Sequence, residues 1–204
     1  MSILVFFQIF FVCLIGAMSP GPSMVVVINN AVFKNRYHGI LTSIGHGIGI
    51  SVYAIFAVIG IGLIIKTNLL VFNGIKILSV FFLIYLGIKS LNSNGKIDLQ
   101  QKNLNSIAAS FFQGFSISIL NPKIFIWFVA IYSQFMSTNN DLIFNVYLVL
   151  MAGIIDASWY ILLTILSTSD SSLKFIKTKS YILNKLIGYL FILIGLILLI
   201  QILI

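Results

Sequence analysis

The chain consists of long apolar stretches separated by short polar segments. Six stretches are each long enough to cross the hydrocarbon core of a bilayer as a helix, which takes about 20 residues. They cover residues 3–33, 40–65, 67–90, 107–136, 142–167 and 181–204. A polar linker at 92–106 divides the chain nearly in half, and a second polar loop is expected at 167–180. The pattern predicts an all-α integral membrane protein with six transmembrane helices.

Two of these stretches are interrupted by proline. The three prolines of the chain fall in the segments Ser19–Pro22 (Ser-Pro-Gly-Pro) and Asn121–Lys123 (Asn-Pro-Lys). Proline breaks or kinks a helix because it has no backbone N–H to donate. Paired interruptions in the two halves of a membrane protein point to the substrate site of a transporter. The sequence therefore predicts a transport protein whose first and fourth spans are interrupted.

Each interruption is expected to begin a second half-helix. Ser19 and Asn121 are favourable N-cap residues, and Pro20 and Pro122 would then occupy the first helical position. The N-terminus of such a half-helix carries roughly half a positive charge, and it favours carboxylates or phosphates as ligands. A pair of proline kinks that only shape the helix bundle is the alternative.

The basic residues indicate an orientation in the membrane. The net charge is +8, although 60% of residues are hydrophobic and only 8% are charged. Because such a chain has no soluble domain to carry a nucleic-acid surface, its basic residues are expected to mark cytoplasmic loops. The first, third and fifth connections hold Lys34, Arg36, Lys89, Lys96, Lys102, Lys174, Lys177, Lys179 and Lys185. The second connection and the residues near it hold only Lys66 and Lys76, and the fourth connection has neither lysine nor arginine. Both termini are therefore expected outside.

The two halves of the chain resemble each other weakly. Pro20 and Pro122 lie at matching positions of the two halves. Because three spans is an odd number, a duplicated half would insert upside down relative to its partner. We expect a single transmembrane domain over 1–204, built as a 3+3 inverted repeat of 1–91 and 107–204.

Three ionisable residues are expected deep within the spans, namely His46, Lys123 and Asp156. Charged groups at such depth are costly and usually face a cavity or a partner. Asp156 is a candidate proton carrier, and His46 is either a proton relay or a hydrogen-bonded packing residue. A Lys123–Asp156 pair that only locks two helices is the alternative. Asn29 and Asn30 are either substrate contacts or the interfacial end of a helix.

These residues, in this order, resemble the lysine exporter superfamily of bacterial amino-acid transporters, which includes the homoserine/threonine efflux branch. The shared motifs cover essentially the whole chain: Ser19–Pro22, Asn29–Asn30 with the basic loop after them, Gly45–Gly49, Tyr85–Gly87, Asn121–Lys123, and Asp156 with Trp159. The resemblance implies efflux of an amino acid or a close derivative across the bacterial inner membrane, driven by the proton-motive force.

The resemblance also suggests how the site would work. The half-helix N-termini and Lys123 would bind the substrate carboxylate, Asp156 would bind its ammonium group, and rocking of the two repeats would give alternating access. The transport and binding residues expected from the sequence are Ser19, Pro20, Gly21, Pro22, Asn29, Asn30, His46, Asn121, Pro122, Lys123 and Asp156.

Two other classes of function compete with this one. A small-ion or metal exporter would need several oxygen ligands, and Asp156 is the one evident intramembrane carboxylate. An intramembrane hydrolase could use Ser19, His46 and an acid, but no Gly-x-Ser-x-Gly elbow surrounds the serine. Cys13, the single cysteine, forms no intrachain disulfide. We expect no enzyme activity, metal site or cofactor, and the sequence leaves open the choice of amino acid and whether two copies form a homodimer.

Overall fold

The computed structural model describes residues 3–93, 99, 106–137 and 141–203. Every regular element in these ranges is helical. The helices are α1 (Ile3–Met18), α2 (Pro22–Phe33), α3 (Arg36–Thr67), α4 (Leu69–Leu91), α5 (Ile107–Ile119), α6 (Pro122–Phe135), α7 (Leu142–Ser167) and α8 (Asp170–Leu203). Most of the predicted linker 92–106, including Lys96 and Lys102, lies outside the described residues.

Four helices, α3, α4, α7 and α8, are individually long and apolar enough to cross a membrane. The helices α1 and α2 pass the same test as a pair bent by 67°, and α5 and α6 pass it as a pair bent by 58°. The described part of the chain therefore has four to six candidate spans. This confirms an all-helical, multi-pass membrane protein whose bends lie where the prolines are.

The second interruption has the predicted geometry. Asn121 is the N-cap of α6, and its side-chain oxygen accepts a hydrogen bond from the backbone N–H of Lys123 at 3.1 Å. Pro122 is the first helical residue, where its missing N–H costs no intrahelical hydrogen bond.

At the first interruption the predicted cap is wrong. The N-cap of α2 is Gly21 rather than Ser19, and the helix begins at Pro22 rather than Pro20. Ser19 belongs to the end of α1, since its N–H donates to the carbonyl of Gly16 at 3.2 Å. Glycine has no side chain to cap the helix, so the first turn of α2 has no side-chain hydrogen bond.

The polar segment 167–180 is helical, which corrects its prediction as a loop. Only Thr168 and Ser169 separate α7 from α8, which begins at Asp170. An acidic residue in the first turn is favourable because it complements the helix dipole. Lysine and serine lower the hydropathy of this segment without preventing a helix. The hydropathy pattern therefore located the start of the apolar stretch at 181 and missed the start of α8 at Asp170.

Glycines set the closest contacts between α3 and α5. A Cβ added to Gly45 would collide with the carbonyl oxygen of Phe111, and one added to Gly114 would collide with that of Thr42. Small residues let transmembrane helices approach closely. The two helices run in the same direction, and the Gly45–Gly49 segment lies at their close contact.

Gly45→Ala is expected to destabilise the protein. The new methyl group must push α5 away from α3, and such overpacking costs about 1–3 kcal/mol. We expect the melting temperature of the purified protein in detergent to fall by roughly 2–12 °C. Gly60→Ala is the matched control in the same helix, because nothing lies within 4 Å of its Cβ. Equal melting temperatures for the two variants would contradict the contact.

Two further helix pairs make reciprocal glycine contacts. A Cβ on Gly47 of α3 would lie 2.8 Å from the carbonyl oxygen of Gly153 in α7, and a Cβ on Gly153 would lie 3.0 Å from that of Gly47. Gly87 of α4 and Gly188 of α8 face each other in the same way, at 2.8 and 2.9 Å. In both pairs, α3 with α7 and α4 with α8, the helices run antiparallel.

The helix connections gather at two opposite ends of the bundle. At one end Arg36 Nη2 donates to Thr168 Oγ1 at 3.0 Å, and Lys34 Nζ donates to Ser110 Oγ at 3.4 Å. These contacts bring together the α2–α3 connection, the α7–α8 connection and the start of α5. We call this end, which holds Lys34 and Arg36, the basic end. The α3–α4 connection lies at the opposite end, where α6 contacts the first turns of α4.

Candidate functional site

The two helix interruptions meet at a central cavity. Lys123 Nζ donates to Ser19 Oγ at 2.5 Å, which joins the end of α1 to the first turn of α6. The cavity is lined by Cys13, Gly16, Ala17, Ser19, Gly21, Pro22, Ser23, Ile50, Asn121, Lys123, Ile124, Trp127, Phe128, Ile131, Tyr132, Ala152, Asp156, Tyr160 and Phe191. Both interruptions thus face a shared interior space, with α3, α7 and α8 completing its wall.

Asp156 of α7 supplies the acidic group of this cavity. Its Oδ2 lies 2.6 Å from Nδ1 of His46 on α3, and the two residues are only 5% and 1% exposed. The His46 ring packs edge-on against Tyr160 at 4.7 Å, and its Nε2 has no hydrogen-bond partner among the described residues. A buried carboxylate in contact with an imidazole is an arrangement that can hold a proton between two groups.

The alternative of a Lys123–Asp156 pair is wrong. Asp156 pairs with His46, whereas Lys123 donates to Ser19. The cavity therefore contains one cationic and one acidic side chain that are not bonded to each other. Both line the cavity while Asp156 contacts His46 and Lys123 contacts Ser19.

One end of the cavity is apolar. On α6, Trp127 and Ile131 follow Lys123 at intervals of four residues and so lie on the same helix face. The Trp127 ring lies 4.9 Å from that of Phe191 and rests against Gly16, where an added Cβ would come within 2.7 Å of its Nε1. Trp127 is absent from the site residues expected from the sequence. Its spacing from Lys123 is the signal that could have placed it at the cavity.

A cleft of about 520 Å³ opens from the cavity toward the basic end. It shares Ser19, Gly21 and Lys123 with the cavity lining. From there it runs between α4 and α8 and passes Lys89 and Asn184. The cavity is therefore reached from the basic end in this conformation.

Toward the opposite end the bundle is closed by packing. Phe72 is buried in the main hydrophobic core there, and the Tyr132 hydroxyl donates to the Leu148 carbonyl at 2.7 Å. The hydroxyls of Ser79 on α4 and Ser133 on α6 lie 3.5 Å apart, and both residues are buried. The cavity consequently has one open side and one closed side.

Asn29 and Asn30 lie outside the cavity lining. Asn30 is buried, and its Nδ2 donates to Thr42 Oγ1 at 2.7 Å and to Gln113 Oε1 at 2.8 Å, which ties α2 to α3 and α5. Asn29 Oδ1 is buried without a hydrogen-bond partner among the described residues. Both asparagines are near Lys34, whose pKa is lowered by burial. In this conformation Asn30 belongs to the helix contacts of the basic end.

Comparison with known proteins agrees with this architecture. The family model described as LysE type translocator matches residues 14–202. The chain belongs to this family. The resemblance drawn from the sequence motifs is thereby confirmed, and the molecule is a translocator.

Several named relatives are similar to this LysE-type translocator. The uncharacterized membrane protein YrhP of Bacillus subtilis is 27% identical over 184 residues, which is 83% of this chain and 86% of YrhP. The threonine efflux protein of Salmonella typhi is 26% identical over 147 residues, 67% of this chain and 69% of its own. The leucine efflux protein of Salmonella choleraesuis is 27% identical over 119 residues, 57% and 56% of the two chains. No solved structure is a significant match.

Two observations on the described residues of this LysE-type translocator bear on the competing functions. Within residues 3–93, 99, 106–137 and 141–203, no group of three or more His, Cys, Asp or Glu residues is placed to hold a metal ion. Ser19 contacts Lys123, whereas His46 contacts Asp156, so the Ser19–His46–acid arrangement of a hydrolase is not formed.

Proposed function

We propose that this LysE-type translocator exports an amino acid or a close derivative from the bacterial cytoplasm in exchange for protons. The observation that carries the proposal is that Lys123 and Asp156 face one cavity without pairing with each other. A zwitterionic amino acid presents a carboxylate and an ammonium group, which match these two charges. The similarity to threonine and leucine efflux proteins supports both the substrate class and the direction of transport.

The substrate carboxylate would bind between Lys123 and the first turn of α2. That turn lines the cavity with no side-chain cap, so its N–H groups and the positive end of the helix dipole favour an anion. Because the side chain of Asn121 caps α6, α2 is the half-helix whose N-terminus has no side-chain cap. The Lys123 ammonium now contacts Ser19 and would add the carboxylate as a second acceptor.

The substrate ammonium group and a proton would compete for Asp156. A proton on the Asp156–His46 pair neutralises the carboxylate that the ammonium group needs, so each ligand weakens the binding of the other. On the cytoplasmic side the amino acid would displace the proton. On the outer side, a proton entering from the acidic medium would displace the amino acid. This competition is what couples export to the proton-motive force.

The cleft supports a cytoplasm-facing conformation. It opens at the basic end, and basic residues gather on the cytoplasmic side of membrane proteins. This orientation would leave both termini outside the inner membrane. Closure of the cleft between α4 and α8, together with opening of the packing around Phe72 and Ser133, would expose the cavity to the other side.

An inverted repeat is the architecture that this exchange would use. We take each bent pair as one span, which gives six spans in a single domain, with repeats 1–91 and 107–204. The reciprocal contacts of Gly47 with Gly153 and of Gly87 with Gly188 are those that a two-fold axis produces between equivalent helices. Rocking of the repeats about the cavity would give alternating access.

An efflux panel in bacterial cells tests the proposed function. Cells that express the protein are loaded with dipeptides, and the amino acids released into the medium are measured over time. We expect one or a few amino acids to leave faster than from cells with an empty vector, and expect a protonophore to abolish the difference. Identical release from both strains for every dipeptide would contradict amino-acid export.

A further inference from the structure

The cavity has a lining that can discriminate between amino-acid side chains. If the carboxylate binds at Lys123 and the ammonium group at Asp156, we expect the side chain to extend along α6 into the apolar part of the cavity, away from the cleft. That space is bounded by Ile50 of α3, by Trp127, Phe128 and Ile131 of α6, and by Phe191 of α8. A wall of this kind offers dispersion contacts and removal of apolar surface from water.

We infer that the site selects neutral amino acids with a large apolar side chain, with Trp127 as the specificity-determining residue. The inference rests on the proposed function and names the substrate class for the same cavity. A basic side chain would bring a second cation next to Lys123, and the acidic group of the lining, Asp156, is already taken by His46 and the substrate ammonium. A buried cation without a partner is strongly disfavoured.

A hydroxylated substrate side chain would also gain little binding free energy at the apolar end of the cavity. The Tyr132 hydroxyl, next to Ile131 in the chain, donates to the Leu148 carbonyl at 2.7 Å. Its proton is therefore not available to a substrate hydroxyl. Selection should follow the apolar area of the side chain, since each methylene in a hydrophobic pocket changes binding by roughly 10-fold or more.

Gly16 fixes the position of Trp127. The indole ring lies where a Cβ on residue 16 would be, with Nε1 at 2.7 Å and Cε2 at 2.8 Å from that point. The absence of a side chain on α1 leaves this position to the ring. A methyl group at position 16 would collide with the ring, and we expect the displaced ring to restrict a large substrate side chain more than a small one.

Counterflow in proteoliposomes tests this inference. Purified full-length protein is reconstituted in vesicles preloaded with leucine, and uptake of labelled leucine is measured against unlabelled leucine, methionine, alanine, threonine and lysine. We expect leucine and methionine to compete at least about 10-fold more strongly than the other three. Equal competition by lysine or threonine would overturn the inference while upholding amino-acid transport. If no amino acid is exchanged, the proposed function itself fails and the inference fails with it.

Variants of the apolar wall give a second readout in the same assay. Trp127→Ala should reduce the preference for leucine over alanine by about 10-fold, and Gly16→Ala should impair leucine more than alanine. Phe125→Ala is the matched control on α6, because Phe125 is exposed and lies outside the cavity lining. An unchanged leucine-to-alanine ratio in both Trp127→Ala and Gly16→Ala would overturn the role of Trp127. The ratio is read within each variant, so a lower yield of folded protein does not affect it.

Discussion

Replacing Asp156 by asparagine is expected to abolish uphill export while leaving the protein folded. The amide oxygen of asparagine can still accept a hydrogen bond from His46 Nδ1, so the buried contact between α3 and α7 persists. The negative charge that binds the substrate ammonium and the proton is lost. Removing one member of a buried charged pair costs about 2–5 kcal/mol, so we expect export against a gradient to fall by roughly 30-fold or more.

The measurement is efflux from loaded cells at two external pH values, with membrane levels of each protein compared by immunoblot. Asp170→Asn is the matched control, because Asp170 is an exposed residue at the start of α8. Wild type and control should export faster at the lower external pH, and Asp156→Asn should export slowly at both. Undiminished, pH-dependent efflux by Asp156→Asn would show that this carboxylate does not couple transport to protons.

Replacing Lys123 by methionine is expected to weaken substrate binding, also by roughly 30-fold or more. Methionine keeps an unbranched apolar side chain of similar length, so the packing of α6 changes little, but the carboxylate loses its cationic partner. The half-saturation concentration for counterflow in proteoliposomes reports the effect. Lys123→Arg should retain much of the affinity because it keeps the positive charge, although its planar group has a different shape.

A substrate analogue separates the carboxylate contact from a general disturbance of the site. An amine that lacks the carboxylate should inhibit wild type and Lys123→Met equally, because it never makes the deleted contact. Lys174→Met, an exposed lysine of α8, serves as the control for loss of a positive charge. If the amine and the amino acid lose affinity to the same extent in Lys123→Met, then Lys123 supports the cavity without contacting the carboxylate.

The first interruption shows how far local sequence rules reach. Ser19 has the better capping side chain, and both Pro20 and Pro22 satisfy the preference for proline at the first helical position. Two start sites were therefore compatible with the sequence. The structure uses Gly21 and Pro22, which leaves the Ser19 hydroxyl free to accept from a lysine on α6. This contact joins residues of distant helices, and capping propensities, which are local, do not describe it.

The charged residues were located by sequence, but their partners were not. The hydrophobic pattern placed His46, Lys123 and Asp156 deep in their spans, and all three lie in or next to the cavity. The pairing of His46 with Asp156 depends on how α3 and α7 are rotated about their axes. That rotation is set by the contact of Gly47 with Gly153. The contact is visible in the folded structure, and one sequence alone does not show it.

The close packing of α3 has a consequence for the order in which the protein assembles. Its two tightest neighbours, α5 and α7, are made later by the ribosome, because both follow the linker at 92–106. If the first half enters the membrane before the second, the His46 imidazole has neither Asp156 nor Tyr160 beside it. We therefore expect the first half to keep this polar group unpaired until α7 has been inserted.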